Sequence, residues 1–186
     1  MLTVSKQTRR IMVKAREAAP LAGRWYYGAR GHAAKMARHN GVTVATAAGI
    51  VAALSPGCSW ERNLEDAARL MRDGDEFSGA GTYGANVAKA QRIRRGEKPL
   101  RVLGGAKVVN FYLCIMRPWS RSPVCIDRHA MGVVLGRKAT AKERQAMGRP
   151  AQYRKLATLY REAAALMGAV PSEVQAASWV AQRGTK

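Results

Sequence analysis

Lys107 and Asp127 are the two residues whose types and spacing suit a reaction at a carbon centre. Lys107 lies one residue inside a segment opened by Leu103-Gly104-Gly105-Ala106, and Asp127 closes the apolar run Val124-Cys125-Ile126 twenty positions further on. Gly104 and Gly105 let the backbone approach a ligand closely, and the N–H groups at a helix start attract a phosphate. A neutral lysine amine in a partly dry pocket is a nucleophile, and a carboxylate beside it offsets positive charge and takes up a proton. A helix beginning at Ala106, followed by a returning loop, would bring the two side chains together. The same residues equally suit a surface lysine and an aspartate that caps a helix, a position that favours Asp. His129 is of the type that transfers protons near neutral pH or satisfies a local hydrogen bond.

Charge names the class of partner. The 186-residue chain holds 32 Lys plus Arg against 12 Asp plus Glu, a net charge of +20, with 47% hydrophobic residues. A folded chain so basic is expected on a polyanion, nucleic acid before an anionic membrane. The bases cluster: nine against one acid in 1–42, seven against one in 87–107, eight against one in 137–161. Lys89, Arg92, Arg95 and Arg101 belong to the second cluster and are expected to contact phosphates. Six of the twelve acids fall in 61–76, so the Trp60–Asp73 helix is expected to face away from the ligand.

Several classes are excluded. The longest apolar run, Val42–Leu54, is too short to span a bilayer, and no amphipathic helix has the bulky apolar face that a membrane-surface role needs. The opening residues MLTVSKQTRR carry no apolar core followed by small residues, so no secretory signal is expected and the protein is read as cytoplasmic. Cys58, Cys114 and Cys125 form no CxxC, and the three histidines have no matching spacing. Neither a disulfide framework, a metal site nor a cofactor is therefore expected.

The elements that must position these residues read as helices. Strand signals are almost absent, and Ala, Arg, Leu, Met and Lys dominate. Helices are predicted over 5–19 ahead of Pro20, 24–39 ahead of Asn40-Gly41, 43–54 ahead of Ser55-Pro56, 60–72, 85–95, 106–116, 127–135 and 151–167. Two more start after the capping boxes Thr140-x-x-Glu143 and Ser172-x-x-Gln175, near 141 and 173, and Lys98-Pro99 reads as a break in the chain. The segment 43–54 is nearly all apolar or small, hence a buried central helix. Trp25-Tyr26-Tyr27 reads as a packing contact. Trp60 either packs under the preceding loop or lines a base pocket, and His32 and His39 are given no chemical role.

Four segments, in order, resemble the helix-hairpin-helix DNA glycosylases, the superfamily of endonuclease III and 8-oxoguanine DNA glycosylase. Val102–Asn110 is similar to that family's L-x-G-x-G-x-K hairpin, and Val124–His129 to its V-D-x-H segment. Ala53–Asn63 resembles the L-S-x-Q stretch whose loop enters the duplex, and Tyr83–Ile93 the G-x-x-x-x-K-A-x-x-I helix. The match covers roughly 43–136. Leu103 stands where the hairpin has its first glycine, Pro56-Gly57 replaces the glutamine region, and Arg128 replaces a small residue. The four-cysteine iron–sulfur loop of endonuclease III is missing, so no cluster is implied.

The resemblance implies an all-α fold of two helical lobes, 43–136 and 1–42 with 137–186, within one glycosylase-like domain that acts as a monomer on DNA. It implies that Lys107 is the Schiff-base nucleophile and Asp127 the catalytic carboxylate. Gly104, Gly105, Ser55, Pro56, Gly57, Trp60, Arg128 and His129 would join Lys89, Arg92, Arg95 and Arg101 in gripping the duplex around an extruded base. Base removal would follow, with abasic-site lyase activity where the imine forms. Two alternatives stay open: a related phage-type enzyme of modified-base metabolism, and a non-catalytic DNA-binding protein of the same fold.

Overall fold

The computed structural model describes residues 4–184, the side chains of 19–21 excepted. The described residues are all-helical, as the composition predicts, and no helix among them is long and apolar enough to cross a membrane. The helices are α1 (Lys6–Ala22), α2 (Trp25–His39), α3 (Val44–Leu54), α4 (Trp60–Asp73), α5 (Gly84–Arg94), α6 (Pro99–Val102), α7 (Ala106–Met116), α8 (Arg128–Leu135), α9 (Ala141–Ala146), α10 (Pro150–Leu166) and α11 (Pro171–Arg183). The opening MLT of the segment read for a signal lies outside the described residues.

Two compact units divide the chain. A terminal unit joins the residues up to Tyr27 to those from Arg117 on, and a central unit is Gly28–Met116. The division falls after Tyr27 and Met116, where the sequence reading set its lobes at 42 and 136. The reason is apolar burial. Val124 and Ile126, and Ala130, Met131, Val133 and Val134 of α8, sit in one core with α1, α10 and α11, so 117–136 belongs with the ends of the chain.

In the terminal unit, α1 buries Thr8, Ile11, Ala15, Ala18 and Ala22 at helical spacing and packs along α11 and α10. It continues through Pro20 to Ala22, because the restriction on the residue before proline is a bias that the surrounding packing overrides. The Thr140 capping box forms as predicted: the Glu143 N–H donates to Thr140 Oγ1 (3.2 Å) and the Thr140 N–H to Glu143 Oε2 (2.8 Å). Hydrogen bonds from Arg137 and then from the Thr140 backbone hold the Glu143 carboxyl down at about 2. The box predicted at Ser172 does not form. α11 begins at Pro171, a residue pre-shaped for a first helical position, and Ser172 is buried with its hydroxyl donated to the Pro118 carbonyl (2.8 Å).

In the central unit, α3 is the buried helix that its sequence predicts. Thr43 caps it, its Oγ1 accepting the Thr46 N–H (3.0 Å), and Ala47–Leu54 are all buried. It packs against α4, α5, α6 and α7. Lys98-Pro99, read as a break, instead starts the four-residue α6 with Pro99 at the first position. Gly49 allows α3 to lie against that proline: a Cβ at 49 would stand 2.7 Å from Pro99 Cγ and 3.2 Å from Ile93 Cγ2. A proline ring cannot swing aside. Gly49→Ala gains about 1 kcal/mol of helix propensity but overpacks the contact by about 1–3 kcal/mol. We expect a lower thermal midpoint by circular dichroism. An unchanged or raised midpoint would show that α6 is not seated by this contact.

Candidate functional site

Asp127 belongs to the terminal unit and is held from three sides. It is the N-cap of α8, as its position before Arg128–Leu135 predicts, and Oδ1 accepts the N–H groups of His129 (2.9 Å) and Ala130 (2.8 Å). Oδ2 accepts the indole N–H of Trp179 on α11 (2.9 Å). A carboxylate offers about four acceptor directions, so three N–H donors fix its plane. An ordinary N-cap engages one oxygen. The indole bond to the second is what distinguishes this one.

The stretch leading into Asp127 is fixed as firmly. The buried Tyr153 hydroxyl donates to the Val124 carbonyl (2.8 Å) and accepts the Ile126 N–H (2.9 Å), satisfying two backbone groups of an extended segment sunk in the core. One stripe further along α10, the Tyr160 hydroxyl donates to the Ala130 carbonyl (3.0 Å). Burial pushes that phenol well above its ordinary range, and the Asp127 charge adds to the effect, so Tyr160 stays neutral. Trp179 stands edge-to-face with the half-buried His129 (ring centroids 5.9 Å), and Arg183 lies over its ring (5.0 Å). Arg128 is exposed, its Nε donating to His129 Nε2 (3.2 Å). His129 is thus part of the packing around Asp127, and Tyr153, Tyr160 and Trp179 are positioning residues that sequence reasoning missed.

Lys107 belongs to the central unit. α6, the turn Leu103-Gly104-Gly105 and α7 form a short helix, a tight turn and a longer helix. Gly105 takes a positive φ of 77°, which a side chain would strain, and its carbonyl accepts the Val109 N–H (3.2 Å). Leu103 is buried, whereas Gly104, Gly105 and Lys107 are exposed. The partly dry pocket expected around Lys107 is therefore not present: its second position on α7 puts it on the solvent side of the turn. Lys89 of α5 reaches this turn, its Nζ 3.8 Å from where a Gly104 Cβ would stand. Lys89 and the exposed Arg101 thus lie near an exposed glycine turn at a helix start, an arrangement that suits a phosphate.

The loop between α3 and α4 is locally braced. The Ser55 hydroxyl donates to the Ala52 carbonyl (2.9 Å), the Pro56 carbonyl accepts the Thr82 hydroxyl (2.6 Å), and Ser59 caps α4 through the Arg62 N–H (3.3 Å). Gly57, at φ 78°, is exposed, with the Tyr83 ring 3.6 Å from its Cβ position. Tyr83 is 71% exposed, an aromatic face beside the loop that the sequence did not single out. Trp60 is half-buried, edge-to-face with His32 of α2 (6.1 Å) and Phe111 of α7 (6.5 Å), so it packs α4 onto the hairpin helix. One turn on, Asn63 is buried and its Oδ1 has no hydrogen-bond donor among the described residues. The Cys58 thiol is pushed up by burial and by the charges of Asp66 and Glu65, with Arg62 opposing, which keeps it protonated.

The charges are less segregated than the sequence suggests. Asp66, its side chain 1% exposed, is a structural anion: it accepts the Gly81 N–H (2.7 Å) and pairs with Arg62 (2.9 Å) and Arg69 (3.6 Å), pinning the loop 78–83. Arg62 also donates to the Gly79 carbonyl and Arg69 to that of Ser78 (2.9 Å). Arg95 meets Asp75 (2.8 Å) and Arg92 meets Glu97 (2.6 Å), so two cations of the basic helix have acidic partners, one from the loop after α4 and one from just beyond α5. The hydrogen bond from Arg92 holds the Glu97 carboxyl below its usual range. These two pairs are exposed, and exposed pairs are weak enough to exchange for a phosphate.

The central unit thus carries Lys107, Gly104, Gly105, Ser55, Pro56, Gly57, Trp60, Lys89, Arg92, Arg95 and Arg101, and the terminal unit carries Asp127, Arg128 and His129. Comparison with known proteins gives one match: over residues 2–186 the chain belongs to the family described as "Family of unknown function (DUF7178)". No curated protein and no solved structure matches it.

Proposed function

We propose that this member of the DUF7178 family is a cytoplasmic DNA N-glycosylase that extrudes a damaged or modified base from a duplex and cleaves its glycosidic bond. The observation that carries the reading is the Asp127 carboxylate, fixed by two backbone N–H groups and the Trp179 indole at the start of α8. A carboxylate locked in one orientation offsets the positive charge that develops on a sugar as its base departs, with no reorganisation at that moment. The base leaves with the bonding electron pair and takes a proton. Water, or the Lys107 amine, then forms the new bond at C1′. Attack by water passes its proton to Asp127 and ends in an abasic site. Attack by the amine forms a C1′–N bond; the nitrogen gives up its proton, the C1′–O4′ bond breaks with the proton taken by O4′, and the opened sugar is held as an imine.

Three further features support the reading. The glycine turn with Lys89 and Arg101 beside it suits a duplex phosphate. The braced loop 55–59 with the exposed Tyr83 suits a wedge that occupies the space of an extruded nucleotide. The net charge of +20 suits a polyanion.

The test is incubation with a set of duplexes, each carrying one damaged or hypermodified base, read for abasic sites and strand breaks. At least one duplex should accumulate abasic sites in proportion to enzyme. Tight binding to the duplexes without abasic sites on any of them would overturn the reading in favour of a non-catalytic DNA-binding protein. Release confined to a hypermodified base would place the enzyme in modified-base metabolism.

A further inference from the structure

A second surface, in the terminal unit, has the chemistry of a phosphate channel. α1 and α8 enclose a half-open groove of about 720 Å³ lined by Val4, Lys6, Arg9, Arg10, Val13, Lys14, Val133, Gly136 and Gln182. The four cations and Val13 come from one face of α1, at i, i+3, i+4, i+7 and i+8, while Thr8 and Ile11 turn the other face into the core. No acid lines the groove. Two acids lie near α1: Glu162 accepts the Thr8 hydroxyl on the buried side (3.1 Å), and Glu17, outside the lining, pairs with the groove cation Lys14 (2.8 Å) in an exposed contact of little strength. Lys6 and Arg9 form no ion pair among the described residues.

Arg10 gives the groove a fixed floor. Its Nη1 donates to the carbonyls of Val134 (3.3 Å) and Leu135 (2.9 Å), the last turn of α8, and its guanidinium occupies the space that a Cβ on Gly136 would need, with Cζ 2.8 Å away. Gly136, at φ 70°, is therefore required twice, for the left-handed cap and for the arginine. α8 links this floor to Asp127: the carboxylate caps its N-terminus and the arginine its C-terminus, eight residues apart along one helix, or about 12 Å at 1.5 Å per residue.

We propose that this groove binds the phosphodiester backbone of duplex DNA flanking the reacting nucleotide. The proposal rests on the DNA reading above and adds the surface that would hold the flank. From Lys6 to Lys14 the helix also advances about 12 Å, which spans roughly three phosphates of one strand at about 3.4 Å of duplex axis each. A row of cations on a concave surface suits a charged strand. A planar lipid headgroup layer cannot enter a groove, and Val13 at 52% exposure is the one large hydrophobic side chain of its lining that stands out to solvent.

The experiment is anisotropy titration of a plain, undamaged duplex across a range of salt. The triple variant Lys6→Ala, Arg9→Ala, Lys14→Ala leaves Arg10 in its structural place. It is compared with Arg149→Ala, Arg154→Ala, Lys155→Ala, which removes the same charge from exposed positions outside the groove. The groove variant should bind about tenfold or more weakly, and the slope of log affinity on log salt should shrink by roughly 2–3, about 0.9 per lost phosphate contact. The control should lose less than about threefold. Val13→Glu, which puts an anion in the groove without removing a cation, should weaken binding in the same direction. Equal losses in groove and control variants would reduce the effect to net charge and overturn the proposal. So would unchanged duplex affinity in the groove variant, or a loss confined to phosphatidylserine vesicles. A wild-type protein that fails to bind any duplex would overturn the DNA reading itself, whereas wild-type binding with an indifferent groove variant overturns the groove alone.

Discussion

Asp127→Asn should lower base excision by about two orders of magnitude or more, the scale on which preorganised electrostatic groups act, with duplex affinity close to wild type. Asn and Asp are equally good N-caps, and an amide oxygen can still accept the His129 and Ala130 N–H groups that Oδ1 accepts now. The start of α8 and the thermal midpoint should therefore be nearly preserved. What disappears is the negative charge and the second acceptor: in place of Oδ2 an amide presents either a donor to the Trp179 N–H or a rotated, misplaced oxygen. The measurement is single-turnover release of base from whichever duplex proves to be a substrate, alongside anisotropy binding. An Asn variant that excises at the wild-type rate would leave Asp127 as a helix cap and nothing more.

That this aspartate caps a helix was legible locally, because an N-cap is specified by residues next to it in sequence, as at Thr43 and Thr140. How firmly it is held was not. Its third donor, Trp179, comes from fifty-two positions away, and the tyrosine that fixes Val124 and Ile126 from twenty-nine and twenty-seven. On α10, Tyr153 and Tyr160 share a stripe with Leu156, Ala157, Ala163 and Ala164, so periodicity marks them as core and says nothing of where their hydroxyls point. Charge misled in the same way. Glu97 lies near Arg92 in sequence, but Asp75 reaches Arg95 only through the fold, and Asp66 is drawn into the interior by a glycine loop fifteen residues away.

The helices were legible in proportion to how local their signals are. α3 has one composition throughout and two clear ends. α6 was lost because proline was taken as a break, when a proline also starts a helix whose first N–H would be orphaned anyway. Where 117–136 packs is not a local property. Val124–Ile126 is apolar in either lobe, and only the packed core shows that it is buried with α1, α10 and α11. The groove on α1 was within reach: Lys6, Arg9, Arg10, Val13 and Lys14 have one-face helical spacing, and the signal was there before the floor supplied by Gly136 was known.

Lys107 decides between the two ways the bond at C1′ can be remade. Lys107 is exposed at the second position of α7, close after the exposed turn Gly104-Gly105. An amine so placed can condense with the aldehyde of an abasic site, losing water and forming an imine that borohydride reduces to a permanent protein–DNA link. We expect wild-type protein to form that adduct on a duplex holding an abasic site, and Lys107→Ala to form at least tenfold less. Removing an exposed side chain here touches no core residue, so the variant should melt like wild type, and its loss of adduct should reflect chemistry rather than unfolding. Base removal should survive in part, because water can attack where the amine is missing. Adduct formation by Lys107→Ala at the wild-type level would assign the condensation to another amine. A wild-type protein that removes a base yet never crosslinks would make water the nucleophile and leave Lys107, with Lys89, as a contact to the duplex phosphates.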